Sequence, residues 1–436
     1  MKYLTLLLTI FVSYAQAQNT LSLAECVDLL AKNNLIYQQS NLQAEAAQAQ
    51  LRQTRSQMLP QIGFGASQSV NIGRSIDQYT NAYIDEVYGY NSMGLNFQTP
   101  IFQGFRVQNQ IRQGTLLKES AQENRTAVLN AQTVLLMQGY VNVLATKALY
   151  ESWTDQVESS VTQVDRVSKQ VNAGTVGANL LYEIKAQLAN DKFSQVTALN
   201  NYRTARLALF QRMNVNPDDK VEFAPLMTRD STLNAENALD IYEDAQKNFP
   251  EIRSAELYRQ SFIYQVKSIK ALNYPSLSLS GGIGAFYATS NRSLDYFNQL
   301  NATRNGSLQI NLNIPIMGRW LTRPRVEYAK VQERLAQNSL DVSNQLLRQN
   351  IELAVLNLQS MADRNVSAQG QVESLTAAFA VIESKMNAGI ANSYEYSLAK
   401  ANLAKAQGNA IQAKYDYLMQ QRLLQYYRQG NWQGVF

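Results

Sequence analysis

One spacing constrains this chain more than any other feature: 215 residues. It separates Pro60 from Pro275, Pro100 from Pro315, Gly174 from Gly389, Lys185 from Lys400, Leu188 from Leu403 and Tyr202 from Tyr417. One constant offset across most of 436 residues marks a tandem duplication. A period this long is not that of a solenoid. It is a doubled supersecondary unit, each half ordered helix, strand, strand, long helix, helix.

Proline placement supports the helices. The prolines stand at 60, 100, 217, 225, 250, 275, 315 and 324, so two tracts of about a hundred residues contain none. Proline inside a helix costs about 3 kcal/mol, so both tracts are free to be helical. Val134, Leu135, Val141 and Leu144 sample an apolar face that Gln138 interrupts. The triplet "NAG" then breaks each tract at Gly174 and Gly389, glycine being the usual helix stop. Each tract is thus a helical hairpin. The arm from Gly104 to Ala173 would run roughly 100 Å at about 1.5 Å per residue. A helix that long must pack along its length against others.

The strand candidates are "QIGFGASQSVNIG" from Gln61, "GLNFQT" with its lead-in from Tyr88, "SLSLSGGIGAFYA" from Ser276, and "GSLQINLNIPI", Gly306 to Ile316. In the last, Leu308, Ile310, Leu312 and Ile314 alternate with Gln309, Asn311 and Asn313. In the second, Leu95 and Phe97 alternate with Asn96 and Gln98. A sheet over a soluble core would carry Lys, Glu and Asp on its outer face. Here the polar face is uncharged, which fits transmembrane β-strands of 9 to 11 residues with the polar side toward a lumen. Asn96, Gln98, Gln309, Asn311 and Asn313 are the expected lumen residues. Tyr79, Tyr83, Tyr88, Tyr90, Tyr287 and Tyr296 crowd the strand ends, as an interfacial aromatic belt would. Four strands cannot sit open in lipid, because edge N–H and C=O groups would be unpaired. The barrel must close with other copies: two would give eight strands and a filled interior, three would give twelve and a water-filled bore. Pro100 and Pro315 should mark where strand becomes helix.

The opening "MKYLTLLLTIFVSYAQAQ" reads as an export signal cut after Ala17, and its apolar run is too short to span a bilayer. Cys26 is the lone cysteine. It lies past that site and follows Glu25 rather than a small residue, so a buried thiol fits better than a lipid anchor. The net charge of +5 is scattered, not gathered into a stripe, so no nucleic-acid partner is expected. The chain has no histidine, which removes the commonest general base and metal ligand. Neither a P-loop nor a G-x-S-x-G motif occurs. The expectation is a non-enzyme without cofactor or metal.

With these features together, the strand pairs ending in "TPIFQGF" and "IPIMGRW", and the "NAG" hairpins followed by "YEIKAQLA" and "EYSLAKANLA", the chain resembles the TolC-like outer membrane factors. The resemblance implies a fold mainly of α-helix with membrane β: a duplicated protomer giving four strands to a trimeric twelve-stranded β-barrel, continued by a long α-helical barrel. It places the barrel in the outer membrane lipid of a Gram-negative bacterium and the helices in the periplasm. It implies a homotrimer that docks a periplasmic adaptor protein and, through it, an inner-membrane pump. The protein would be the passive exit duct of a tripartite efflux or type I secretion system; a non-transporting cell-surface coiled-coil scaffold or adhesin is the alternative.

The expected segments are a signal peptide at 1–17, a helix at 18–59, strands at 60–103, a hairpin at 104–214 and an irregular belt at 215–250. The second repeat follows with a helix at 251–274, strands at 275–318, a hairpin at 319–430 and a tail at 431–436. The family's adaptor-contacting tips match Gly174, Thr175, Val176 and Gly177, and Gly389, Ile390, Ala391 and Asn392. An acidic residue six positions past the second glycine forms the family's periplasmic gate; here it is Glu395. The family's second acid falls on Leu398. Its tyrosine and arginine fall on Met386 and Ala391, so a closed state needs other contacts. Three copies of Glu395 about one axis would form a like-charged ring that attracts cations.

Overall fold

A computed structural model describes residues 20–77, 79–226, 237–388, 390 and 392–432. The signal segment, Gly389, Ala391 and most of the tail lie outside the described residues. In chain order the elements are β1 (Thr20–Leu21), α1 (Leu23–Asn33), α2 (Leu35–Ser56), β2 (Gln61–Asn71), β3 (Arg74–Ile76), β4 (Tyr83–Asp85), β5 (Tyr88–Gln103), α3 (Arg106–Asn172) and α4 (Ala178–Met213). There follow β6 (Glu222–Phe223), α5 (Ala238–Asn248), α6 (Pro250–Lys270) with a 3-10 turn, β7 (Ser276–Ala288), α7 (Tyr296–Ala302), β8 (Asn305–Asn313), α8 (Arg319–Asn387) and α9 (Ser393–Gln429). The long arms are real: α3 has 67 residues and α8 has 69. The chain divides into two compact units.

The first unit joins the segment ending at Ser40 to Thr126–Phe249 and to the chain from Gln345 on. Its core on α3 is Leu136, Met137, Tyr140 and Leu144, all buried, whereas Leu135 is 38% exposed. Gln138 is exposed too. Val141 and Leu144 of the expected face are buried, but N-terminal to them the core takes Leu136, Met137 and Tyr140 in place of Leu135, and Gln138 lies outside it. Within the expected irregular belt, β6 pairs in parallel with β1 through Thr20↔Glu222 and Leu21↔Phe223. Tyr140 Oη lies 2.7 Å from the Ala224 carbonyl and 3.0 Å from that of Leu21, fastening this ladder to α3. Cys26 sits in α1, fully buried, and burial pushes its thiol up to about 12. Ser22 caps α1 in a reciprocal box with Glu25. The other side of the belt is aromatic: Phe249 packs on Tyr426 and Tyr427, and Trp432 stacks on Tyr426 at 4.3 Å.

The second unit, Asn41–Arg125 and Pro250–Asn344, holds the sheet. Its order is β2-β5-β7-β8, antiparallel throughout. One sequence expectation needs correction here. Pro100 does not end its strand: β5 runs on to Gln103, with a register shift between Pro100 and Phe102. The bulge tolerates a residue without an N–H, and β2 has already stopped pairing at Gln98, so only the β7 side needs partners. Pro324 lies in the second turn of α8, within the expected 319–430 hairpin.

The connections between the paired strands are themselves structured. β3 and β4 form a small hairpin, and α7 is capped by Asp295, which accepts the Asn298 N–H at 2.8 Å. Asp77 ties the two connections together, accepting from Thr80 Oγ1, the Tyr79 N–H and Ser290 Oγ. Burial opposes its ionisation, yet these hydrogen bonds outweigh it and hold the carboxyl below the usual range. The tyrosines divide. Tyr83 is 70% exposed as a belt residue should be, whereas Tyr88 is buried, with its hydroxyl on the Ile76 carbonyl.

Candidate functional site

Two features of this fold suit a conduit: a two-faced sheet and a pair of hairpin ends. Side chains on paired residues share a face, and the pairing fixes which. Gln61↔Gln98, Gln98↔Ser280 and Ser280↔Gln309 run as one row across all four strands. Ser278↔Asn311 and Ser276↔Asn313 lie on the same face, as does Asn96, opposite Gly63 and Gly282. All five expected lumen residues, Asn96, Gln98, Gln309, Asn311 and Asn313, are thus brought to one face. Asn311 Nδ2 donates to Ser280 Oγ at 3.0 Å.

The opposite face carries Ile62, Phe64, Leu95, Ile283, Leu308, Ile310 and Leu312. Ile62 is 68% exposed, Phe64 69% and Leu308 72%. A contiguous exposed apolar face of this kind needs a cover. The outer edges of β2 and β8 pair with no strand among the described residues.

At the first hairpin end, Gly174 takes the left-handed conformation with φ +74. Its N–H reaches the Val171 carbonyl at 2.9 Å, and the Thr175 N–H reaches Gln170 at 3.0 Å. This pair of bonds satisfies the last carbonyls of α3. The duplication repeats the second of them: the Ile390 N–H reaches Lys385 at 2.9 Å. Gly177 opens α4 without a side-chain cap. Its counterpart Asn392 caps α9, accepting the Glu395 N–H at 2.8 Å. Glu395 is exposed in that first helical turn, where the helix dipole favours an anion.

Behind the tips the two hairpins share a core. Val167, Ile184, Met386 and Tyr396 are buried together, with Val176 and Phe379 against them. Met386 therefore packs, and makes no hydrogen bond of the kind the family's tyrosine would. Tyr396 Oη is buried without a partner among the described residues, and burial, then the charge of Glu383, push its hydroxyl up to about 12. Polar links flank this core: Ser393 donates to Glu183 and Arg166 to Asn387. Deeper in the unit, Lys400 meets Asp191 at 3.0 Å and donates to Ser160, all three buried. Gln187 holds the other Asp191 oxygen at 2.8 Å. In the sequence Lys400 stands out only as a repeat marker, the counterpart of Lys185. The signal was available: Tyr396, Lys400 and Leu403 stand on one helical stripe, a cation in a core position.

Comparison with known proteins agrees with this geometry. The model of the outer membrane efflux protein family matches residues 26–215 and 241–427. The chain belongs to the outer membrane efflux protein family. Outer membrane protein TolC of Escherichia coli strain K12 is 22% identical over 432 residues, covering 94% of this chain and 82% of that protein. Protein CyaE of Bordetella pertussis is 20% identical, over 75% of this chain and 67% of its own length. The outer membrane channel CmeC of Campylobacter jejuni superposes with a TM-score of 0.81 at 19% identity, over 94% of this chain and 85% of that one. This efflux-family chain is an outer membrane exit channel for efflux or secretion. Its relatives are channel proteins, and its sheet and helical hairpins are the family's fold.

Proposed function

We propose that three copies of this chain close one wall: a twelve-stranded barrel with the Gln98–Ser280–Gln309 face toward water and the Phe64–Leu95–Leu308 face toward acyl chains, continued by a tube of hairpins. The observation that carries this is the four-stranded sheet with an exposed apolar face, an uncharged polar face and two open edges. In hydrocarbon each unpaired backbone group costs several kcal/mol, so the β8 edge of one copy meets the β2 edge of the next. The helices support the same reading. Leu321, Tyr328, Leu335 and Val342 stand at seven-residue steps on α8 and all are exposed; Tyr182, Phe193, Val196 and Leu207 are exposed along α4. Such stripes pack on helices of other copies.

The duct is passive and performs no chemistry; transport energy comes from an inner-membrane pump reached through a periplasmic adaptor. The adaptor meets the tips around Gly174–Gly177 and 389–392. Three copies of Glu395 ring the narrow end and favour cations. The test is conductance in planar bilayers. The wild-type trimer conducts with cation selectivity, and Glu395→Ala conducts without it. A protein that inserts but never conducts is a scaffold, not a duct. Unchanged selectivity in Glu395→Ala removes the ring alone.

A further inference from the structure

The two repeats leave the sheet with different charge. After β8 the chain passes through Ile316, Met317 and Trp320, which are 88%, 82% and 77% exposed. Arg319, Arg323 and Arg325 stand among and just after them, all exposed. The equivalent positions 215 residues earlier are Gly104, Gln108 and Gln110. The aromatic is kept, because Phe105 occupies the place of Trp320 and is itself 61% exposed. Both junctions thus present an exposed aromatic. The first has one adjacent cation, Arg106, half-buried and donating to Gln103 Oε1 at 2.7 Å, whereas the second has three exposed ones. Arg323 has an i,i+4 partner in Glu327 at 3.1 Å, an exposed pair worth little. Arg319 and Arg325 make no salt bridge among the described residues.

What covers this patch must be both apolar and anionic. The apolar row of β8, Leu308, Ile310 and Leu312, leads along the chain into Ile316 and Met317. Trp320 stands seven residues past β8, in the first turn of α8, and an exposed Trp just beyond a lipid-facing strand marks headgroup depth. Guanidinium groups at that depth fit phosphate oxygens with paired hydrogen bonds. We propose that Arg319, Arg323 and Arg325, beside Trp320, bind the phosphate headgroups of anionic glycerophospholipids in the periplasmic leaflet. The first-repeat junction, whose single Arg106 is already engaged by Gln103, does not. Three copies of the chain would alternate three strongly anion-binding junctions with three that carry one engaged arginine each. The inference rests on the proposed lipid-facing assignment of the sheet.

The full-length protein is reconstituted in vesicles of phosphatidylcholine and phosphatidylglycerol, with bromine on one lipid or the other at equal mole fraction. Bromine quenches nearby tryptophan, and the difference between wild type and Trp320→Phe isolates the Trp320 signal. The expected result is stronger quenching by brominated phosphatidylglycerol, an enrichment of about fivefold per engaged arginine at low salt, weakened at high salt. In Arg319→Gln/Arg323→Gln/Arg325→Gln, Trp320 is still quenched but the preference is lost. Equal quenching by the two lipids in wild type overturns the proposal, as does a preference that survives the triple substitution. Quenching by neither lipid takes down the lipid-facing assignment itself. Should the triple variant fail to fold, the wild-type comparison alone decides.

Discussion

Lys400 of the second repeat holds Asp191 of the first at 3.0 Å, with each residue no more than 3% exposed. The duplication does not repeat this pair. Lys185, the counterpart of Lys400, lies over the ring of Tyr182 and is exposed; the counterpart of Asp191 is the buried Ala406. The ion pair is therefore specific to the contact between α9 and α4 within one chain. It fixes how the second hairpin is seated on the first.

Removing one partner leaves the other charge buried and alone, which costs about 3–5 kcal/mol. Lys400→Met and Asp191→Leu should each lower stability by that order. The double variant Lys400→Met/Asp191→Leu should recover most of the loss, because an apolar pair can replace a buried ion pair at little cost. Urea unfolding of the detergent-solubilised protein, followed by helical circular dichroism, measures all three. Additive losses in the double variant would mean the two residues act separately.

Cys26 gives the chain an alkaline sensitivity. Its folded pKa of about 12 lies above the roughly 8.5 of an unfolded thiol. Its contribution is complete below pH 8.5 and is lost as pH rises toward the folded value. By pH 10 the loss is about 2 kcal/mol. Burial also raises the hydroxyls of Tyr140 and Tyr396. Unfolded tyrosine titrates near pH 10, so the cysteine dominates only between about pH 8.5 and 9, and above that the comparison with Cys26→Ala separates it from the tyrosines. Cys26→Ala should show a flatter stability curve there. The native thiol should ignore Ellman's reagent at pH 8 and react fully in denaturant.

The turn from β5 into α3 requires glycine. Gly104 has φ +59, and an added Cβ would lie 2.6 Å from Tyr274 Cβ and 2.8 Å from the Ala271 carbonyl. Left-handed backbone alone costs alanine about 1 kcal/mol, and those contacts add to it. Gly63, on the polar face of β2, has nothing within 4 Å of a built Cβ. Gly104→Ala should lower the thermal midpoint clearly, while Gly63→Ala should change stability by less than about 1 kcal/mol.

Much of this was legible in the sequence, for identifiable reasons. The 215-residue offset survives because both repeats meet the same geometric demand at prolines and hairpin glycines. The strand faces were legible because period two leaves no ambiguity once the polar residues are uncharged. The core face of α3 was legible only in part. Val141 and Leu144 fall in the core, but ahead of them the core takes Leu136, Met137 and Tyr140 rather than Leu135. A helix in a tube has more than one face to cover, so apolar spacing alone does not choose among them. Pro100 was misplaced because a bulge can accommodate it where the neighbouring strand has already ended. Lys400 was missed as a site because its acceptors, Ser160 and Asp191, are 240 and 209 residues away.

At the second tip, Asn392 caps α9 through the Glu395 N–H. Asn392→Ala should cost about 1 kcal/mol locally. Hydrogen exchange at the Glu395 amide should then quicken about fivefold, while Asn392→Asp keeps the protection. An unchanged rate in Asn392→Ala would mean the cap carries none of the tip's order.

The account stands on the claim that one chain supplies a third of a closed wall. Disulfide trapping across the two open strand edges tests it most directly. Ser67→Cys on β2 is paired with Ser307→Cys, Gln309→Cys or Asn311→Cys on β8, residues of the same sheet face, while the buried Cys26 stays silent. Oxidation of the membrane-inserted protein should yield a covalent ring of three for at least one pair. Only monomers or open-ended ladders across the whole set would contradict it.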